Sequence, residues 1–173
     1  MNIRKLLSAA AASVMAMSLL SSCGQSGVLR LGTGNTGGNY YSYGTLLHEL
    51  DENGIEVKKT AGSQANLRLM KEGFIDMAIV QSDVLSEAVN GVGDFENEPV
   101  SGVRAVAGLY DEAFQIVVRS KSDINSIADL KGKKISVGDE GSGIAKNAEY
   151  LLLSAGVAFS SVEPVYMSYS DSA

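Results

Sequence analysis

Val28-Leu29-Arg30-Leu31-Gly32-Thr33-Gly34-Asn35-Thr36-Gly37-Gly38-Asn39-Tyr40-Tyr41 is the stretch that decides the fold. Val28 to Gly32 is a short apolar run that reads as a strand, and it breaks into a glycine-rich turn. From about Tyr40 to Asp51 the residues Tyr43, Leu46, Leu47 and Leu50 fall on one face at helical spacing. Strand, glycine turn and helix form the first half of a βαβ unit.

The same signals recur downstream. Asn53-Gly54 stops the first helix, and Ile55 to Thr60 is a second strand. Ser63 is placed to cap a helix running to Glu72, with Leu67, Met70 and Phe74 at helical spacing. Asp76 to Val80 reads as a buried third strand, and Gln81-Ser82-Asp83 opens a helix whose apolar face holds Val84, Leu85 and Ala88. Gly91 to Gly102 reads as a surface loop, Val103 to Leu109 and Phe114 to Arg119 as two further strands, and Ser126 to Leu130 as a helical turn. Ile135 to Gly138 is a strand, followed by the second glycine turn, Gly138 to Gly143, and a helix to about Ala155. Val162 to Tyr169 is a last strand. Alternating strands and helices predict an α/β protein with mostly parallel sheets. Residues 28–119 are expected to form a first lobe with its crossover. Residues 120–173 begin a second βαβ set with nothing to complete it, so the second lobe is expected to be truncated.

Gly32, Gly34 and Gly37 fit the spacing of a dinucleotide-binding turn. The acid that should end the second strand is absent, since Glu56 lies at its start and Thr60-Ala61 at its end. A phosphate-binding P-loop fails as well, because Gly38 rather than Lys follows Gly37. What remains is a more general property. Helices begin at Gly37-Gly38-Asn39, Gly62-Ser63, Gln81-Ser82 and Gly141-Ser142-Gly143, each after a strand. In open α/β sheets ligands bind along that edge. Unpaired N–H groups and the positive dipole end at helix starts attract a carboxylate without an Arg. Taken singly, each is also a routine βα turn; four together predict a shared small anionic ligand.

Charge and composition bound the function. The chain has 173 residues, 45% of them hydrophobic and 20% charged, with one Cys and a formal charge of −6. These values fit a globular protein and lack the basic face of a nucleic-acid binder. Met1 to Ser22 reads as a signal peptide: Arg4 and Lys5 form its positive start, and Leu6 to Leu20 is uncharged. Leu20-Ser21-Ser22-Cys23-Gly24 resembles the bacterial lipobox, which makes Cys23 an acylated (palmitate-bearing) anchor and residues 23–27 a tether. Without residues 1–22 the chain keeps 12 basic and 20 acidic residues. An exported, membrane-anchored, periplasmic or otherwise extracytoplasmic protein follows, with no nucleotide cofactor expected. His48 is the only histidine, on a helix, and Cys23 is committed to lipid, so no nucleophile–base pair for an enzyme can be built. No metal set is expected either.

The motifs resemble the TAXI family of solute-binding proteins of TRAP transporters. The family's opening is similar to Gly32-Thr33-Gly34 with Thr36-Gly37-Gly38 and Tyr40-Tyr41. Later signatures resemble Thr60, Gly62-Ser63 and Asn66-Leu67, then Gly73, Asp76, Ala78 and Val80-Gln81-Ser82-Asp83, then Leu109-Tyr110 with Glu112. Asp129-Leu130-Lys131-Gly132-Lys133 and Gly141-Ser142-Gly143 match too, the former shared by many two-lobed binding proteins. Asp111 and Gln115 depart from the family's Pro and His after the Leu-Tyr pair.

The resemblance implies a periplasmic-binding-protein type II-like fold whose two lobes close on a small organic anion, a dicarboxylate or an acidic amino acid such as glutamate. It implies a monomer that delivers the anion to an ion-gradient-driven TRAP permease. A two-lobed receptor for an ABC importer or a sensor kinase is the alternative. Carried over by position, the ligand contacts are Asn35, Thr36, Gly37, Tyr40, Ser63, Gln81 and Tyr110 from the first lobe, and Gly141, Ser142 and Gly143 from the second.

Overall fold

The computed structural model describes residues 27–172. The signal segment 1–22, Cys23 and most of the tether lie outside the described residues.

Two parallel sheets organise the chain. The first contains β1 (Leu29–Gly32), β2 (Ile55–Lys58) and β3 (Met77–Ala78) in the order β2-β1-β3. Helix α1 (Asn39–Leu50) connects β1 to β2, and α2 (Ser63–Lys71) connects β2 to β3 on the other side of β1. This reversal about β1 creates a switch point at the strand ends, where open α/β sheets bind ligands. Helix α3 (Ser82–Asn90) leaves β3. The second sheet pairs β4 (Lys134–Ser136) with β5 (Glu163–Val165), joined through α4 (Gly143–Ser154); a short α5 (Tyr169–Ser172) follows.

Each sheet has its own apolar cluster. Leu67, Val84, Ala88, Phe95 and Val100 pack beside the first, and Leu130, Leu152, Val157 and Val162 beside the second. Gly32 shows how tightly β1 is covered: a Cβ there would lie 2.5 Å from Ile75 Cδ1 and 2.7 Å from Asn66 Oδ1. Only glycine lets α2 and the β3 approach close over that strand end.

Several expectations need correction. Val103 to Leu109 and Phe114 to Arg119 are not strands: residues 103–119 have no regular structure and are exposed apart from Val103 and Tyr110. Their apolar residues supply a strand's side chains, but no neighbouring strand among the described residues supplies hydrogen bonds. The loop at 91–102 is partly core, because a 3₁₀ turn at Gly93–Phe95 buries Phe95 and the chain then buries Val100. The stripe expected to seat α1 faces water at Tyr43, Leu46 and Leu50; the helix packs instead through Gly44, against Thr33, Val57 and Leu31. Phe74 is exposed as well. The last strand is only three residues long and gives way to α5. Ser63 is the first residue of α2 rather than its cap, a place taken by Gly62.

Candidate functional site

The C-terminal ends of the two sheets face each other, so that the starts of α2 and α4 meet. Ala65 N–H of α2 donates to the carbonyl of Gly141 at 3.2 Å. Gly62 faces Ser142, and Gly143 abuts Gln81 and Ser63 so closely that a Cβ would overlap Gln81 Oε1. Ser142 caps α4 by accepting from Ala145 N–H at 3.0 Å. Both glycine turns therefore serve the same contact. The second lets α4 begin against the first lobe, and the first carries Asn35, which bonds Asp139 of the second.

Ser63 is buried, and its Oγ accepts the backbone N–H of Gln81 at 3.0 Å. This bond ties the start of α2 to the loop before α3, which is a stronger reason for a serine there than capping. Gln81 spans the interface: Nε2 donates to Glu112 Oε2 at 2.5 Å, and Oε1 accepts from Asn147 Nδ2 of α4 at 3.5 Å. Asn35 donates through Nδ2 to Asp139 Oδ2, a second link across the lobes. Tyr110 stacks on Tyr43 with ring centroids 5.1 Å apart and 14° between planes.

Glu112 acts on three phenols, Tyr40, Tyr110 and Tyr169, and all three are shifted the same way. Burial, then the hydrogen bond with Glu112, pushes Tyr40 far above its ordinary value. Burial and the Glu112 charge push Tyr110 up to about 12, and burial followed by the same charge raises Tyr169. All three remain protonated near neutral pH and present O–H donors rather than negative oxygens.

Of the ten predicted contacts, the structure brings Asn35, Tyr40, Ser63, Gln81, Tyr110, Gly141, Ser142 and Gly143 to this contact zone. Thr36 and Gly37 are exposed in the first turn, with Gly37 lying near Ser170 of α5. Reasoning from sequence missed Asp139 and Asn147, and it quoted Glu112 only as a signature. Asp139 lies in the second glycine turn, whose position was a signal for it, whereas Asn147 and Glu112 are brought to the rim by the packing of α4 and by the irregular segment 103–119.

A cleft of about 620 Å³ opens on one flank of the contact. Gln64 and Arg68 of α2 line one wall, and Lys146 and Glu149 of α4 the other. Lys146 is buried, with Nζ 3.2 Å from Asp94 Oδ2 and 3.3 Å from Glu149 Oε2. Gln64 Nε2 also donates to Asp94, at 2.7 Å. Lys146 is thus already matched by carboxylates, whereas Arg68 reaches only the backbone carbonyl of Asp94, at 3.5 Å, and lies over the Phe95 ring; of the predicted contacts only Gly141 reaches this cleft. The predicted contacts therefore gather beside this cleft rather than within it. Among the described residues no three His, Cys, Asp or Glu side chains gather as a metal set, and no helix is long and apolar enough to cross a membrane.

The NMT1-like family matches residues 31–173, spanning both sheets and every rim residue named above. The chain belongs to the NMT1-like family. That assignment is coarser than the TAXI resemblance drawn from the motifs. Among solved structures, this NMT1-like chain is similar to the alkanesulfonate-binding protein SsuA from Xanthomonas axonopodis pv. citri bound to MOPS, with 19% identity, 84% of this chain and 49% of that one covered, and a TM-score of 0.49. It is also similar to the periplasmic aliphatic sulphonate binding protein SsuA from Escherichia coli, with 21% identity, 83% and 48% coverage, and a TM-score of 0.44. The chain spans about half the length of these structures.

Proposed function

We propose that this NMT1-like chain is the ligand-capturing part of an extracytoplasmic solute-binding protein for a small organic anion, a dicarboxylate or an acidic amino acid such as glutamate. One observation carries this reading. The starts of α2 and α4, with Ser63, Gln81 and Ser142, converge from two lobes on one rim, where neutral donors replace a cation. Backbone N–H groups at helix starts and phenolic and amide donors suit carboxylate oxygens, and two lobes closing on them remove water from the bonds.

The TAXI motifs favour delivery to an ion-gradient-driven TRAP permease, with Cys23 as the lipid anchor. The broader family match favours equally a receptor for an ABC importer or a sensor kinase, because the same rim serves either partner. A multi-span permease encoded beside this chain supports the first, and an ATPase or histidine kinase the second. Binding itself is tested by thermal denaturation across a panel of dicarboxylates, acidic amino acids and sulfonates. A true ligand at a hundred times its Kd stabilises by about 2.7 kcal/mol. A panel without any shift overturns the proposal, as does a shift that survives in Gln81→Ala undiminished.

A further inference from the structure

Glu112 occupies the rim in a way the proposed function does not use. Its Oε2 accepts from Gln81 Nε2 at 2.5 Å, and its carboxylate helps to raise the phenols of Tyr40 and Tyr110. Among the described residues, none of the ion pairs involves Glu112. A carboxylate held by a neutral amide donor is the arrangement that a bound carboxylic acid would itself adopt. Glu112 also belongs to segment 103–119, which takes part in no helix or strand; stacking of Tyr110 on Tyr43 holds the segment nearby. Withdrawing the carboxylate therefore breaks side-chain bonds but no backbone ladder.

We infer that Glu112 is a tethered competitor that sets the affinity of the rim: its carboxylate sits on donors the solute carboxylate needs, and an anionic ligand binds by displacing it. This inference rests on the rim being a carboxylate site. An intramolecular occupant acts at high effective concentration, so it weakens the apparent affinity of every carboxylate by a common factor.

The test is calorimetric titration of the full chain with glutarate and with L-glutamate, comparing wild type, Glu112→Ala and Glu112→Gln. Removing one charge-assisted bond predicts that Glu112→Ala binds both acids about tenfold more tightly. Glu112→Gln, which keeps shape but loses charge, falls between the two. Equal affinity in wild type and Glu112→Ala overturns the inference while leaving the rim reading intact. A loss confined to L-glutamate also overturns it, because Glu112 then holds the ligand's ammonium. Absence of binding in all three chains defeats the rim reading, and the competitor with it.

Discussion

Asn66 donates through Nδ2 to the carbonyl of Thr33 at 2.7 Å, and the same nitrogen reaches the carbonyl of Ile79 at 2.9 Å. Strands β1 and β3 pair only through Leu31–Met77 and Gly32–Ala78, so beyond Gly32 their ladder has ended. Asn66, fully buried on α2, continues the link with a side chain. It sets the spacing between the first glycine turn and the Gln81 loop, both of which carry candidate contacts.

Asn66→Leu should therefore lower stability by about 1–3 kcal/mol, the cost of leaving a buried acceptor without its donor. Thr33 keeps a second donor in Thr60 Oγ1, so the Ile79 carbonyl suffers most. Asn66→Asp should be worse, because it removes the donor and places an acid in the same buried site. Urea unfolding measures both, and a leucine variant as stable as wild type would refute the role.

Lys146 and Asp94 join the lobes on the cleft side. Desolvation, the largest influence on Lys146, lowers its pKa, yet the bond to Asp94 and the charges of Asp94 and Glu149 outweigh it and hold the ammonium above its ordinary value. Asp94→Ala leaves that buried charge with the half-exposed Glu149 alone, and Gln64 without its acceptor. A loss of about 2 kcal/mol is expected, larger than for Lys146→Met, which removes the charge and keeps the packing. Thermal denaturation of both variants ranks them, and the reverse order would contradict a buried-charge penalty.

The helix starts at Asn39, Ser63, Ser82 and Gly143 were legible because glycine and small polar residues act locally, through φ freedom and short side chains. The strands were legible where the apolar run also found a neighbour, as at Leu29–Gly32 and Ile55–Lys58. Residues 103–119 failed for the complementary reason: apolar composition is a property of the segment, and pairing is a property of the fold. The site divides along the same line. Ser63 and Gln81 lie at helix starts, and Asp139 in the second glycine turn, where they could be read; Asn147 and Glu112 reach the rim only through long-range packing.

Arg30 and Asp76 supply a pH-dependent clasp between β1 and the turn before β3. Arg30 Nε lies 2.8 Å from Asp76 Oδ2, and a second guanidinium nitrogen 2.9 Å from Oδ1. The hydrogen bonds from the Arg30 side chain and backbone lower the Asp76 carboxyl to about 2. An acid depressed on folding contributes stability that is present above its unfolded value, about 3.9, and is lost as pH falls through the folded value. Wild type should thus exceed Asp76→Asn in stability near neutral pH, and the gap should close between about pH 4 and pH 2. Parallel urea midpoints across that interval check the sign; a gap that is constant with pH would assign the effect to packing alone.

Gly143 opens α4 where its backbone meets Gln81 and Ser63, and no positive φ requires glycine there. Helix propensity alone makes Gly143→Ala stabilising by up to about 1 kcal/mol. The interface makes the opposite demand, because the new methyl overlaps Gln81 Oε1 and comes within 3.1 Å of Ser63 Oγ. To relieve that overlap the Gln81 amide must turn, giving up Glu112 and Asn147, or α4 must withdraw from the first lobe. Either response dismantles the donors at the rim. The expected result is a helix no less stable by circular dichroism, with carboxylate affinity reduced at least tenfold, equivalent to about 1.4 kcal/mol. Affinity should therefore fall while the helix persists, a split that a merely structural glycine would not produce.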